Sequence, residues 1–415
     1  MATLMRTVFY VSMFIWVLVF HLVHCQDMSP SAEEYAEMEK YLATMNKPAV
    51  KTFMTEHGDI FDCVDINKQP AFDNPLLKDH KIQLRPSSLP VGMQNKSSSS
   101  SFIAMKIGLP EEGCPPGTVP IRRIRMEELL RAGSVANHRS KYGRAAHEPL
   151  SNEGFVHQHA VLRLDGGGPY YGTAVGLNLW NPNINTANGE IFSLAQFWIV
   201  NDSSDTNTIE GGWHVRPEMY GNDATHLFIY WTANGYRTGC HNLECGFVQV
   251  DQRIMPGLSF PQISSYEGIQ PGVVLTVIRD TDGNWWLGFE EAYTSSFVWV
   301  GYWPASIFNS LNYGANSLHW GGEVCGHTYP GATLPPMGSG QWAYSDYGWA
   351  AFANRIKIVG SNNELVDAPD QLATQETQPN CYTVVDKGND IGNFGRYFYF
   401  GGPGGYCTNT YSALE

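Results

Sequence analysis

Positive charge is what these 415 residues have least of. Lys and Arg total 26 against 40 Asp and Glu, a formal net charge of −14 at pH 7 and a pI near 5.4. A surface so poor in cations does not collect phosphates, which argues against nucleic acid as a partner. Charged residues of both signs make up only 16% of the chain, while apolar residues reach 43% and aromatics 13%. That balance belongs to a folded protein and not to a disordered or collagen-like one. No second long apolar run follows Val23. The usual catalytic signatures are also missing: G-x-S-x-G, H-E-x-x-H, G-x-x-x-x-G-K and G-x-G-x-x-G do not occur in a usable context, which removes the enzyme classes built on them. Asp280-Thr281-Asp282-Gly283 has neither the residue order nor the second copy of an aspartic-protease motif and reads as a turn. No internal repeat is present.

Tryptophan is nearly absent from the first part of the chain. Trp16 stands alone before position 180, and the other eleven fall between Trp180 and Trp349. Charge breaks in the same region: residues 1–144 hold 17 basic and 15 acidic side chains, net +2, and residues 145–415 hold 9 and 25, net −16. A helical, basic amino-terminal piece joined to an aromatic, acidic main domain produces such a break, with the boundary between 133 and 150. Met1–Cys25 carries a lone Arg6 and an apolar run from Val8 to Val23 that contains His21. At about 16 residues the run is short for a membrane span, which needs about 20, and suits a signal-peptide core. A retained membrane anchor is the competing reading. The expected layout is a signal peptide at 1–25, an amino-terminal piece at 26–144 and a main domain at 145–415. The product is expected to be secreted, with no membrane partner once the signal is removed.

Ser31 and Glu34 have capping-box spacing, so Glu34 to Met45 is expected to be an amphipathic helix that stops before Pro48. Val50–His57 is expected to form a second short helix ended by Gly58. Phe61 to Pro75 reads as largely extended, Ser97–Ser101 as a flexible loop and Met126–Ala132 as a helix. From residue 155 the pattern changes to short alternating runs between Gly, Asn, Asp and Pro. His159–Leu164, Leu227–Trp231, Val273–Ile278, Trp285–Phe289, Phe297–Trp303 and Arg355–Val359 are all strand-like, with Asp282-Gly283 as a hairpin turn. The expected fold is mainly β: an antiparallel β-sandwich preceded by a smaller α+β piece.

Eight cysteines minus Cys25 leave seven, and an oxidising compartment makes pairing the default. Proximity suggests Cys63 with Cys114, Cys240 with Cys245 and Cys381 with Cys407, leaving Cys325 over. Sequence does not fix this connectivity. Asn95-Lys-Ser97 and Asn201-Asp-Ser203 are candidate glycosylation sites.

Two glycine-flanked carboxylates stand out. In Thr208-Ile-Glu-Gly-Gly-Trp213 and His319-Trp-Gly-Gly-Glu-Val-Cys325, side chains two apart share a strand face. Glu210 therefore lines up with Thr208, Gly212 and His214, and Glu323 with His319, Gly321 and Cys325. A glycine in a strand marks the close approach of another backbone or ligand, and a peptide lying across the face would be such a backbone. Taken alone, each Glu more commonly reads as a solvated strand residue. His157-Gln158-His159 puts two imidazoles on one face, a spacing that suits zinc, but no third ligand is nearby and exposed strand positions are the default.

Four blocks in order resemble the plant neprosin family: GDIFDCVDINKQPAFDNPLLK at 58–78, Gly117-Thr-Val-Pro-Ile-Arg-Arg123, Ile209-Glu-Gly-Gly-Trp213 and Gly321-Gly-Glu-Val324. The resemblance covers nearly everything after the signal segment. It implies an activation peptide followed by a neprosin domain with a β-sandwich fold. The family contains glutamic peptidases secreted as zymogens that cleave after proline with two glutamates, and by motif Glu210 and Glu323 match those positions. The implied partners are a proline-containing peptide or protein and the chain's own activation peptide as inhibitor. The implied location is extracellular, in the apoplast, or the vacuole. Two carboxyls at close range do not both ionise cheaply, so such a pair favours acidic pH and needs no metal or cofactor. Attraction between the net +2 and net −16 pieces would hold the activation peptide over the cleft and fade in acid, with cutting around Arg139–Arg144. Trp213, Trp231 and Trp320 have the size for a proline slot, although most tryptophans must fill the core. Two rival classes are a catalytically inactive carbohydrate- or wall-binding sandwich and a metallo-hydrolase using His214, His319 and a Glu.

Overall fold

The computed structural model describes residues 30–93, 107–139, 154–292, 296–390, 392 and 394–407. The signal segment, Asn95, the Ser97–Ser101 run and Lys141–Arg144 of the expected cutting region lie outside them. No helix among the described residues is long and apolar enough to cross a membrane.

Two antiparallel sheets form the main body. The first runs β17 (Ala373–Glu376), β4 (Phe155–Tyr170), β14 (Ala315–His327), β6 (Glu190–Asn201), β7 (Asn207–Val215), β8 (His226–Ala233) and β9 (Thr238–His241). The second runs β10 (Val248–Gln249), β13 (Phe297–Trp303), β12 (Trp285–Glu291), β11 (Gly272–Arg279), β5 (Gly172–Asn178), β15 (Ala351–Val359), β19 (Arg396–Gly401) and β18 (Thr383–Asn389), with β16 (Leu365–Asp367) on β15. Alternation does the sorting. Trp320, Gly322 and Val324 of β14 turn toward the other sheet, and Gly321, Glu323 and Cys325 turn away from it. Trp213, Trp285 and Trp320 are fully buried in the inter-sheet core, and Trp286, next along β12, is buried on the opposite face against Tyr302. Two of the polar edges are satisfied locally: Trp320 Nε1 donates to Thr173 Oγ1 at 3.0 Å and Trp213 Nε1 to the Asn178 carbonyl at 2.9 Å. A β-sandwich with a Trp-filled core is the fold expected from the alternating runs.

The amino-terminal piece is α+β. Helix α1 (Ala32–Met45) opens with the capping box: Ser31 Oγ accepts from Glu34 N at 3.2 Å, and Glu34 Oε2 accepts from Ser31 N at 2.8 Å. Helix α2 (Met126–Ala132) stops at Gly133, whose φ of +75° is left-handed. Helices α3 (Val135–Arg139) and α4 (Pro217–Tyr220) are short. Val50–His57 is not a helix: Ala49–Met54 is strand β1, paired with β2 (Ile60–Asp65) and through it with β3 (Thr118–Arg122). Val50, Thr52 and Phe53 are β-branched or aromatic, and their pairing partners outweigh the local helix signal. The stretch after β2 is also less extended than expected, folding into 3₁₀ turns at Ile66–Lys68, Pro70–Asp73 and Pro75–Leu77.

Disulfides join Cys63 to Cys114, Cys240 to Cys245 and Cys381 to Cys407, and Cys325 stands outside them.

Candidate active site

The two motif glutamates meet through a third residue on the strand between them. Across β14, β6 and β7 the register sets Gly321 opposite Gln196 and Gln196 opposite Gly212. One row away, Glu323 faces His159 and Leu194; one row the other way, Glu210 faces Trp198 and Tyr230. Gln196 thus projects between two positions without side chains, and Gln196 Nε2 donates to Glu210 Oε2 at 3.1 Å and to Glu323 Oε2 at 3.3 Å. Glu210 is 0% exposed, Glu323 1% and Gln196 0%. They lie on the face away from the inter-sheet core, beside a separate apolar cluster of Phe192, Leu194, Phe228, Tyr230 and Cys325. Gln196 Oε1 is buried with no hydrogen-bond partner among the described residues, an open acceptor beside both carboxyls.

The glycines have a different reason from the one their position suggested. A Cβ on Gly212 would stand 1.9 Å from the Ala195 carbonyl oxygen, and one on Gly321, whose φ is +145°, 2.3 Å from that of Ala160. The backbone that approaches so closely belongs to the neighbouring strand of the same sheet. The glycines therefore serve the sheet around Gln196.

Each carboxylate has its own second set of partners. Glu210 Oε1 accepts from Thr208 Oγ1 at 2.8 Å and from the Tyr236 hydroxyl at 3.4 Å. Glu323 Oε1 lies 2.7 Å from His157 Nδ1 and 3.9 Å from His159 Nε2. The His157-Gln158-His159 pair, expected at exposed strand positions, borders Glu323 with side chains 17% and 31% exposed. Gln196 and Tyr236 were not candidates from sequence, because their place depends on which strands are neighbours, and His157 was weighed only as half of a metal-type pair. The His-x-His face was the one available signal.

Beside Glu210 lies a cavity of about 230 Å³ lined by His159, Trp198, Thr208, Tyr236, His319 and Gln375. Burial, with Arg163 nearby, pushes His319 down to about 4, so its ring is neutral above that pH. It touches Ser317 Oγ at 2.6 Å and Asp165 Oδ1 at 3.3 Å. Trp213, Trp231 and Trp320 are sealed in the core and do not line this cavity; Trp198 does. A larger cavity of about 960 Å³ lies between the amino-terminal piece and the β8–β9 end, and the two cavities share Tyr236.

Other candidates fall elsewhere. His214 bonds the Tyr220 hydroxyl at 2.8 Å and stacks on Phe228, and His319 sits with Asp165. No group of three or more His, Cys, Asp or Glu among the described residues is arranged to hold a metal ion. Asn201 needs correction as a glycan acceptor: it is 6% exposed, and its amide donates to the Ser310 carbonyl at 3.1 Å and the Gly314 carbonyl at 2.6 Å. A glycan on that nitrogen would break both bonds and need space the core does not have. The amino-terminal piece is docked on the main domain through its described residues. Its described residues grip Tyr220, His226 and Glu244 and the β10–β13–β12 end, where Gln69 Nε2 donates to the Gln249 carbonyl and Gln249 N to Gln69 Oε1.

The neprosin family model matches residues 189–403, more than half of the chain, and the neprosin activation peptide model matches residues 52–163. Among solved structures the chain is similar to Scytalido-glutamic peptidase with a peptide-based transition state analog: 10% identity, covering 58% of this chain and 96% of that one, TM-score 0.32. It is also similar to SCP-B, a member of the eqolisin family of peptidases in complex with the tripeptide Ala-Ile-His: 12% identity, 58% and 96% covered, TM-score 0.30. A β-porphyranase from the human gut bacterium Bacteroides plebeius follows at 8% identity, 42% and 66% covered, TM-score 0.21. These structural likenesses are loose. The family match is not: this chain belongs to the neprosin family, a neprosin domain carrying its own activation peptide, the organisation of a peptidase made as a zymogen.

Proposed function

We propose that this chain is a glutamic endopeptidase in which Glu210 and Glu323 activate one water for attack on a peptide bond. The observation that carries the reading is the shared amide of Gln196, which brings both buried carboxyls within reach of one small volume. Two carboxyls so placed resist carrying two charges, so the working pair holds one proton. The ionised member takes a proton from water as the water oxygen bonds to the scissile carbonyl carbon. The protonated member hydrogen-bonds the carbonyl oxygen as charge builds there, then gives its proton to the departing nitrogen as the C–N bond breaks. The pair ends with one proton, its roles exchanged, and a proton transfer between the two resets it. The step uses no metal or cofactor.

Cleavage after proline is the specificity we infer, from the family and from the aromatic cavity at Trp198, whose volume suits a small ring. Acidic pH follows from the need for one proton on the pair. Secretion is consistent with three disulfides, which persist in oxidising compartments. The test is incubation of the protein, freed of its amino-terminal piece, with peptides that contain or lack proline, from about pH 2 to about pH 8, read by mass spectrometry with and without chelator. Cleavage on the carboxyl side of proline in acid, unchanged by chelator, is expected. Loss of cleavage with chelator, or no cleavage at any pH, overturns the reading; polysaccharide binding in the latter case would favour the inactive wall-binding alternative.

A further inference from the structure

A second row of contacts leads away from Glu323 and has no part in the reaction as written above. His157 Nδ1 lies 2.7 Å from Glu323 Oε1, and His157 Nε2 lies 3.5 Å from Cys325 Sγ. Strand register builds this row: Cys325 stands opposite His157, and Glu323 opposite His159. Thiol, imidazole and carboxyl are joined in order, and the thiol is 2% exposed.

We infer that His157 is a positioning residue that holds Glu323 as the carboxylate taking the proton from water, an assignment that rests on the peptidase reading above. An ionised carboxylate only accepts, so the nitrogen facing it must donate, and Nδ1 carries a hydrogen. Nε2 faces the Cys325 thiol, a group able both to donate and to accept.

Glu210 differs at its Oε1, which meets the hydroxyls of Thr208 and Tyr236; a hydroxyl donates to a carboxylate and turns to accept from a carboxylic acid. Glu210 therefore keeps these two bonds in either state, while Glu323 keeps its bond to His157 Nδ1–H best as an anion. The asymmetry makes Glu323 the base and Glu210 the acid. Among the described residues the other ionisable groups on this side are His159, Arg163 and Asp165 of β4, His319 and Cys325 of β14, Glu210 and His214 of β7, His226 and Tyr230 of β8 and His241 of β9, with Arg216 just beyond β7 and Tyr236 just beyond β8. His159 Nε2 stands at 3.9 Å from Glu323, beyond hydrogen-bond distance.

The test compares His157→Ala and His157→Asn with the parent after removal of the amino-terminal piece. His157→Ala is expected to lower kcat roughly tenfold to a hundredfold with little change in KM, the cost of a misoriented group. The acidic limb of its pH profile should move up by about one unit, because Glu323 loses a donor to its charged form. His157→Asn keeps an N–H near the Nδ1 position and should recover most of kcat. Parent-like kcat and acidic limb in His157→Ala overturn the inference, as do equal losses in both variants with an unmoved limb. Nitrogen NMR of the imidazoles gives a readout independent of turnover: a hydrogen on Nδ1 of His157 is expected, and an Nδ1 without one contradicts the inference even where peptide hydrolysis is confirmed. Nδ1–H in a protein that hydrolyses no peptide would instead overturn the peptidase reading and the base assignment with it.

Discussion

Asp59 of the amino-terminal piece and His226 of β8 lie 3.1 Å apart with both side chains sealed from solvent. Arg122 holds Asp59 at 3.2 Å and Glu128 at 2.9 Å, and its guanidinium lies 4.6 Å from the Tyr220 ring, which stacks on His226. Nearby, Glu244 accepts from the Tyr41 hydroxyl at 2.6 Å and faces His138 at 3.3 Å. The activation peptide is therefore docked by buried, specific contacts to carboxylates, Asp59 with His226 and Tyr41 with Glu244, in addition to any general attraction between a net +2 and a net −16 piece.

Docking should weaken in acid. Burial alone would raise Asp59, but the His226 bond and the Arg122 charge outweigh it and hold the carboxyl below its ordinary 3.8; burial likewise opposes, and His138 and Tyr41 outweigh it, in holding Glu244 below 4.5. Carboxyls held low stabilise the docked state above those ordinary values and lose that contribution as pH falls through the lowered ones. Limited proteolysis of the full chain should show the amino-terminal piece protected at neutral pH and cut below about pH 4. Asp59→Asn takes the carboxylate away from His226 and leaves Arg122 with Glu128 alone, costs about 3–5 kcal/mol and should remove the protection at neutral pH. An Asp59→Asn protein as resistant as the parent would contradict this.

Gln196 should matter as much as the glutamates flanking it. Gln196→Ala removes the one amide that both carboxyls accept from, and kcat is expected to fall by roughly a hundredfold to a thousandfold, the range for losing a preorganised donor in such a site. Steady-state kinetics with a proline-containing peptide measures it. An unchanged kcat would mean that the amide only fills space.

His319 should tilt the stability of the neprosin domain with pH. Its folded-state value is pushed down to about 4 from 6.5 by burial and Arg163, so the unfolded chain binds more protons between those limits. Stability from this group is complete above 6.5 and lost as pH falls toward 4, up to about 3 kcal/mol. Denaturant midpoints of His319→Gln should fall less steeply than those of the parent across that window; equal slopes would contradict the assignment.

The sandwich was legible in the sequence because alternation is a local signal: Leu227–Trp231 and Val273–Ile278 are strands on their own evidence. Glu210 and Glu323 were singled out by their flanking glycines and by family resemblance, and the structure brings both to Gln196, although the glycines serve the sheet and not a ligand. Gln196 was not, since a lone Gln in Ser193-Leu-Ala-Gln-Phe197 carries no signal until β6 is known to lie between β14 and β7. Val50–Met54 was misread for a related reason. Its strand state depends on pairing with Ile60–Val64, a contact that helix propensity does not see.

The most direct measurement is the rate of peptide hydrolysis in acid by Glu210→Gln and Glu323→Gln, each freed of the amino-terminal piece and shown to be folded. Gln keeps the shape of each side chain and removes its proton exchange, so both rates are expected to fall by roughly a thousandfold or more. Hydrolysis at the parent rate by either variant would contradict a reaction run by two carboxyls.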